Sequence, residues 1–197
     1  MVSRCRQIEV LVLDVSDAAS RVAVVEDVLQ RTDRCVDLLI NNAGLGGDSN
    51  SVEEGTAKAF RDVFEANFLG AVHLTQLLLP SMRARKSGCI VNLSSTHGRW
   101  TTGCHSVYCA SKYALEAISE QLAQEVVRFG VRVVLLLPGV IITPIFGRSS
   151  SSTAKLDDEE EIQRRQELSA AYAPIRNAKN RFYEYGFSYG QGCVHMK

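Results

Sequence analysis

Four short runs rich in valine, isoleucine and leucine recur along the chain, separated by longer amphipathic stretches. The runs span residues 8–15, 36–41, 89–94 and 131–137. They are continuously apolar rather than alternating, so they predict strands covered on both faces, as in a parallel sheet.

The stretches between these runs have the pattern of helices. We expect helices over residues 17–31, over a region around 60–85 that contains Pro80, and over 107–129, which Gly130 would close. Strand and helix alternate along the chain. The predicted fold class is therefore α/β, with right-handed crossover connections between the strands.

The character of the chain changes after Pro144. Four serines occupy residues 149–152, and an acidic run at 157–161 leads into residues 162–172. This pattern favours a mobile polar loop followed by a solvent-facing helix with acids in its first turn. A lid over a substrate is the alternative. Residues 181–197 are aromatic and glycine-rich, and we expect little order there.

Charge and composition narrow the range of functions. The chain has 22 basic and 22 acidic residues, so it offers no net charge to nucleic acid, and 46% hydrophobic residues are enough for one core. No apolar run is long enough to span a bilayer. We expect a soluble cytoplasmic protein, with peripheral membrane association left open. The six cysteines include no C-x-x-C pair, so neither a metal site nor a disulfide framework is expected.

A tyrosine and a lysine stand four residues apart near the start of the third predicted helix. Tyr108 and Lys112 would share one helix face, with Cβ atoms about 5 to 6 Å apart. A phenol that exchanges protons near pH 7 needs a pKa shift of about three units, or about 4 kcal/mol. An ammonium at about 5.5 Å would supply about 3 kcal/mol of this at an effective dielectric constant near 20.

A serine pair at the end of the third apolar run adds to this picture. Ser95 lies thirteen residues before Tyr108, where open α/β sheets place their ligands. Its hydroxyl could polarise a substrate carbonyl. Ser94 is the adjacent candidate, but only one of the two can face the cleft because side chains alternate along a strand. A thiol nucleophile paired with His97 is not expected, because no third group is spaced to orient it.

These residues resemble the short-chain dehydrogenases/reductases of the Tyr-dependent type over about residues 8–146. The similarity rests on six features in order along the chain. These are the strand ending at residues 13–15, the turn at 41–44, Asn67, the strand with its serines at 91–95, the Tyr108 to Lys112 motif, and Pro138 and Gly139 with Thr143.

The resemblance implies a catalytic tetrad. Tyr108 would be the general acid in carbonyl reduction and the base in alcohol oxidation, while Ser95 would hold the reacting oxygen. Lys112 would lower the pKa of the tyrosine and bind the nicotinamide ribose. Asn67, through a backbone kink, would hold a water that links Lys112 to bulk solvent.

The resemblance also implies contacts to NAD or NADP, with no preference readable between them. Asp14 would contact the adenine, although a carboxylate that caps the next helix is the alternative. Pro138 and Gly139 would let the backbone approach the cofactor, unless they form an ordinary Pro-Gly turn. The full set of expected contacts is Asp14, Val15, Asn41, Asn42, Ala43, Gly44, Tyr108, Lys112, Pro138, Gly139, Ile141 and Thr143.

The chain departs from the family pattern at its front. The family opens with a strand and a G-x-x-x-G-x-G loop that holds the pyrophosphate, and residues 1–146 begin beyond that loop. The same spacing at Gly186, Gly190 and Gly192 follows no apolar strand, so we take it as coincidental. We expect an incomplete, Rossmann-like doubly wound domain over residues 1–146, and a variable, partly disordered substrate-loop region over 147–197. A fragment, a shortened isoform or an incomplete gene model would explain the departure.

By resemblance, the reaction interconverts a secondary alcohol and a ketone. A steroid, retinoid or other lipid-like substrate is expected, with Pro144, Ile145 and Phe146 as an apolar wall. The helices at residues 60–85 and 107–129 often form an interface in this family, so a homodimer or homotetramer is expected. The alternatives are a catalytically inactive fragment and a non-catalytic partner subunit.

Overall fold

The computed structural model describes residues 8–47, 51–101, 103 and 105–139. Three strands form one parallel sheet in the order β1 (Leu38–Asn41), β2 (Gly88–Leu93) and β3 (Val131–Leu136). Helices connect each strand to the next, which confirms the predicted α/β class. The expected substrate-loop region at 147–197 lies outside the described residues.

The helices begin and end close to the predicted positions. Helix α1 (Ala18–Arg31) is capped by the Asp17 carboxylate, which accepts hydrogen bonds from the backbone N–H groups of the first turn. The second predicted helix consists of α2 (Ala57–Phe64), a π-helical turn (Glu65–Leu69) and α3 (Gly70–Arg85). Helix α4 (Ser106–Val126) continues as a 3-10 turn (Val127–Phe129).

Gly130 closes this last helix as the sequence predicts. Its φ is 68°, in the left-handed region. A Cβ atom at this position would lie 2.5 Å from the Lys86 carbonyl oxygen. Glycine is therefore required both by the backbone angle and by the close approach of the backbone at Lys86.

The prediction of a strand at residues 8–15 is wrong. This segment has no regular secondary structure, and the side chains of Ile8, Val10 and Val12 are about nine-tenths exposed. A strand is stable only when a neighbour completes its hydrogen-bonding ladder. Within the described residues, β1 forms the edge of the sheet and no strand pairs with residues 8–15.

The described helices cover one face of the sheet. Met82 of α3 and Val126 of α4 pack with Ile90, Val131 and Val133 of the strands. A second cluster joins α1 to α3 through Val25, Leu29, Leu74 and Leu78. On the opposite face, Leu38 and Ile40 of β1 are about half exposed. The expectation that both faces of every strand are covered is therefore not met within the described residues.

A buried arginine fastens α1 to the π-helical turn. Arg21 donates from Nη1 to the Val15 carbonyl oxygen at 2.6 Å and to Glu65 Oε1 at 2.8 Å. Its Nε donates to His73 Nδ1 at 3.0 Å. Glu65 is the first residue of the π-helical turn. Arg21 thus fixes the start of the turn that carries Asn67.

Candidate active site

The predicted site residues come together at the carboxyl ends of β1 and β2, beside the first turns of α4. Ser95 follows β2, while Tyr108 and Lys112 lie on the first two turns of α4. Asn67 reaches the same region from the π-helical turn. This position agrees with the general location of ligand sites in open α/β sheets.

The structure distinguishes between the two neighbouring serines. The Ser95 hydroxyl is hydrogen-bonded to the Tyr108 hydroxyl, and it also accepts from the His97 backbone N–H at 3.2 Å. Ser94 points away, since its hydroxyl donates to Glu116 Oε1 at 2.6 Å. Ser95 is therefore the serine that shares the cleft with the tyrosine.

Tyr108 lies in a largely buried position, with a relative exposure of 5%. Burial raises the pKa of its phenol above the ordinary value, and the adjacent Cys109 acts in the same direction. The hydrogen bond with Ser95 opposes this rise by favouring the phenolate. The expectation that Lys112 holds the pKa of Tyr108 below its ordinary value is not met in this structure.

The orientation of Lys112 explains this difference. Its ammonium lies 5.7 Å from the centre of the Tyr108 ring and donates to the Leu93 carbonyl oxygen at 2.8 Å. Burial lowers the pKa of Lys112 to about 8, and the carboxylate of Glu116 opposes that fall. The spacing of the two residues on the helix predicts their attraction, but not the cost of removing both groups from water. In this structure desolvation has the larger effect on both pKa values.

Asn67 is held rigidly in the predicted backbone kink, which is the π-helical turn. Its amide closes two hydrogen bonds with the backbone of Leu45, accepting from N–H at 2.6 Å and donating to the carbonyl at 2.9 Å. Nδ2 also donates to Ser111 Oγ at 3.0 Å, and Ser111 donates to the Tyr108 carbonyl oxygen at 2.8 Å. Sequence reasoning missed Ser111, whose position three residues after Tyr108 is the available signal.

Asn67→Leu should lower the free energy of unfolding by about 2 to 3 kcal/mol. The substitution removes three side-chain hydrogen bonds, two to the Leu45 backbone and one to Ser111, and a typical intramolecular hydrogen bond contributes about 1 kcal/mol. Urea denaturation followed by circular dichroism measures the change. Asn42→Leu is the matched control because Asn42 is exposed. Equal stability of the two variants would contradict this role for Asn67.

The turn after β1 divides into a structural part and an open part. Asn41 is buried and donates to Asn92 Oδ1 at 2.8 Å, so its amide joins β1 to β2. Asn42 and Ala43 are exposed at the cleft edge. A Cβ atom at Gly44 would lie 3.1 Å from Asn67 Oδ1 and 3.7 Å from Lys112 Nζ. Glycine thus lets the turn approach the tetrad closely.

Two further predicted cofactor contacts, Asp14 and Val15, lie just before α1. The Asp14 carboxylate accepts from the Ser16 hydroxyl at 2.6 Å and the Ser16 N–H at 2.9 Å, and these bonds lower its pKa. Asp14 therefore does not cap α1, which is the role of Asp17. The carbonyl of the neighbouring Val15 accepts from Arg21.

The segment after β3 leads to the same cleft. The Pro138 carbonyl accepts from the Thr96 N–H at 3.3 Å, which holds this segment beside the one that follows Ser95. A Cβ atom at Gly139 would meet no atom of the described residues within 4 Å, so the cleft is open there. The predicted contacts Ile141 and Thr143 lie outside the described residues.

The His97 imidazole borders the hydroxyl pair, and the His105 ring lies next to that of His97. The His97 ring lies 5.8 Å from the Tyr108 ring and 5.5 Å from the His105 ring, and its Nδ1 is 3.4 Å from Ser95 Oγ. Burial, and then the neighbouring His105, lower the pKa of His97. A neutral imidazole therefore lies beside the hydroxyl pair near pH 7. Sequence reasoning placed His97 near the cleft but did not identify this contact.

Within the described residues, no group of three or more histidine, cysteine or acidic side chains is arranged to hold a metal ion. Cys35, Cys89 and Cys109 form no disulfide bond in the described part of the chain. Among the described helices, none combines the length and the apolar composition needed to cross a bilayer.

Comparison with known proteins gives a consistent family. The family model described as short chain dehydrogenase matches residues 2–154. Retinol dehydrogenase 8 of Bos taurus is 40% identical over 113 residues, which cover 57% of this chain and 36% of that protein. The NADPH-dependent pterin aldehyde reductase of Arabidopsis thaliana is 40% identical over 119 residues, covering 58% of this chain and 49% of the reductase.

A solved structure extends the agreement to the fold. The crystal structure of a short-chain dehydrogenase from Streptomyces avermitilis superposes with a TM-score of 0.67 at 38% identity, covering 87% of this chain and 66% of that one. The predicted Rossmann-like arrangement is thereby confirmed. The chain spans between about a third and a half of the length of the two curated relatives.

Proposed function

Because the chain belongs to the short-chain dehydrogenase family, we propose that it functions as an NAD(P)-dependent oxidoreductase that interconverts a secondary alcohol and a ketone. One observation carries this proposal: the Tyr108 hydroxyl is hydrogen-bonded to Ser95 beside the buried ammonium of Lys112. A phenol held against a second hydroxyl can pass a proton to an oxygen that both of them contact.

The four side chains have separate tasks in carbonyl reduction. Ser95 donates a hydrogen bond to the carbonyl oxygen and orients it towards Tyr108. Tyr108 then gives its proton to that oxygen as the alcohol forms, and in the reverse direction it removes the proton. The ammonium of Lys112 stabilises the phenolate left behind. Asn67 fixes the backbone at Leu45, next to Gly44, which lies close to the lysine ammonium.

The residues at the cleft suit a nicotinamide cofactor, which supplies or accepts the hydride when bound. Lys112 donates to Leu93, its only hydrogen-bond partner within the described part of the chain, so two more N–H donors are available to ribose hydroxyls. Gly44 keeps a side chain out of the space beside the Lys112 ammonium. The pterin aldehyde reductase, by its name, uses NADPH. We propose NAD or NADP as cofactor.

We propose a lipid-like substrate, such as a steroid or retinoid alcohol or its carbonyl form. The similarity to retinol dehydrogenase 8 supports this class. We further propose a cytoplasmic location and a homodimer or homotetramer built on α3 and α4. A groove between these helices, bordered by Val72, Leu79, Ile118 and Leu122, offers apolar surface for such an interface.

A second candidate function is that of a catalytically silent chain or a non-catalytic partner subunit. The observation that favours it is length, since this chain spans 36% and 49% of the two curated relatives. Titration calorimetry of the full chain with NADH and with NADPH separates the two candidates. Micromolar binding of NADH or NADPH would exclude a chain that is inactive because it cannot hold the cofactor.

Transfer of deuterium from C4-deuterated NADPH or NADH to steroid and retinoid carbonyl compounds tests the oxidoreductase proposal. We expect the full chain to form deuterated alcohol. Ser95→Ala should lower kcat/KM by about 10²-fold, because one oxyanion donor is lost. Ser95→Thr, which keeps the hydroxyl, should retain much of the activity. No deuterium transfer by the unmodified chain would refute the activity, whereas unchanged turnover of Ser95→Ala would refute only the role of Ser95.

A further inference from the structure

Glu116 is a buried acidic residue of α4 that none of the proposed catalytic steps uses. Its side chain is 5% exposed. We propose that Glu116 is a positioning residue, which clamps the segment carrying Ser95 onto α4 and places a negative charge one helical turn from the Lys112 ammonium. This inference rests on the proposed function.

Glu116 binds the Ser95 segment on both sides of the 3-10 turn Thr96–Gly98. Before the turn, the Ser94 hydroxyl donates to Glu116 Oε1 at 2.6 Å. After the turn, Arg99 forms an ion pair with Glu116 through its Nε. Because a single carboxylate holds both ends of Thr96–Gly98, the backbone at Ser95 has little freedom to move.

Gly98 provides separate evidence for the same contact. A Cβ atom there would lie 2.1 Å from Glu116 Oε1 and 2.5 Å from the Ser94 hydroxyl oxygen. The turn therefore packs its backbone directly onto the carboxylate, at a distance that only glycine permits. Such close packing determines where Ser95 points relative to Tyr108.

Glu116 also balances the charge around Lys112. Lys112, Glu116 and Glu120 follow one another at intervals of four positions, so the three share one face of α4. Arg99 faces them from the clamped segment and pairs with both acids, with 3.0 Å between its Nη2 and Glu120 Oε1. The ring of Tyr108 also lies beside the Lys112 ammonium.

This charge opposes the effect of burial on the lysine. Burial lowers the pKa of Lys112 to about 8, and Glu116 raises it. Removing the charge of Glu116 would therefore lower the pKa of Lys112 further, and a larger fraction of the lysine would be neutral at pH 7 to 8. A residue that served packing alone would not shift the titration of Lys112.

The test uses the full chain labelled biosynthetically with ¹³C-lysine, and follows the titration of the lysine Cε signals by NMR. The sequence has six lysines, and Lys112→Arg identifies the Lys112 signal. Glu116→Gln should lower the midpoint of Lys112 by about half a pH unit or more, because a nearby opposite charge is lost. Ser94→Ala keeps that charge and should leave the midpoint in place. A folded Glu116→Gln variant with an unchanged midpoint would overturn the electrostatic half of the proposal.

Turnover tests the clamping half. Both Glu116→Gln and Ser94→Ala weaken the grip on the segment, so each should lower kcat about tenfold with KM nearly unchanged. Unaltered kcat in both would overturn this half. If Glu116→Gln does not fold, Arg99→Gln replaces it, and loss of that cation should raise the midpoint of Lys112. No rise would count against the proposal. The NMR titration needs no turnover, so its outcome is independent of the proposed activity.

Discussion

Tyr108→Phe should reduce turnover of the full chain by about 10² to 10⁴-fold, the usual contribution of general acid–base catalysis. The substitution removes only the hydroxyl that is hydrogen-bonded to Ser95 and leaves the ring packed beside His97. We therefore expect kcat to fall by this factor, while cofactor affinity, which loses one of several expected contacts, changes much less. Stopped-flow or steady-state loss of NAD(P)H absorbance measures the first, and calorimetry the second.

Tyr113→Phe is the matched control on the same helix. The Tyr113 hydroxyl donates to the Arg99 carbonyl oxygen at 2.6 Å and is not one of the four proposed catalytic groups. Its loss should cost about 1 kcal/mol of stability and leave turnover within a few-fold of the original. Equal turnover of the Tyr108→Phe variant and the unmodified chain would eliminate the phenol as the proton donor.

The second large effect is on the pH dependence of the free energy of unfolding. The pKa of Lys112 falls from 10.5 to about 8 on folding. Below pH 8 the lysine is charged in both states and its burial penalty is fully present. Between about pH 8 and 10.5 the unfolded chain holds the proton and the folded chain does not, so stability rises with pH. A shift of this size corresponds to about 3 kcal/mol.

Lys112→Met should abolish that rise. Urea denaturation at intervals from pH 7.5 to 10.5 would give the free energy of unfolding of both proteins, and their difference should change by about 3 kcal/mol across this range. Lys58→Met is the control, because the Lys58 side chain is 79% exposed and should leave the pH profile unaltered. If Lys112→Met kept the same pH dependence as the unmodified chain, the buried and depressed lysine would be refuted.

Sequence patterns predicted secondary structure correctly where the stabilising contacts are local in sequence or come from burial in the sheet. Helix α1 lies where its pattern predicted it, Gly130 closes α4 and its 3-10 turn, and three of the four apolar runs form strands. In each case the stabilising contact lies within a few residues or follows from burial in the sheet. The run at residues 8–15 has the same composition but no strand beside it among the described residues. Its conformation therefore could not be read from hydrophobicity.

The site shows the same division. Spacing predicted that Ser95, Tyr108 and Lys112 would meet, but it left two serines open. Glu116 decides between them by binding Ser94, and it approaches only because Gly98 has no side chain. Neither contact is local in sequence. Sequence spacing could not find this clamp.

The family, the alternation of strands and helices, and the residues that gather at the carboxyl ends of the strands can be read from patterns along the chain. Which serine faces the tyrosine, and how the charges behave, depends on contacts between distant residues. The helical spacing of Tyr108 and Lys112 fixes how near they lie, but burial governs their pKa values. Burial depends on residues distant in the chain, so the electrostatics of the pair is a property of the folded molecule.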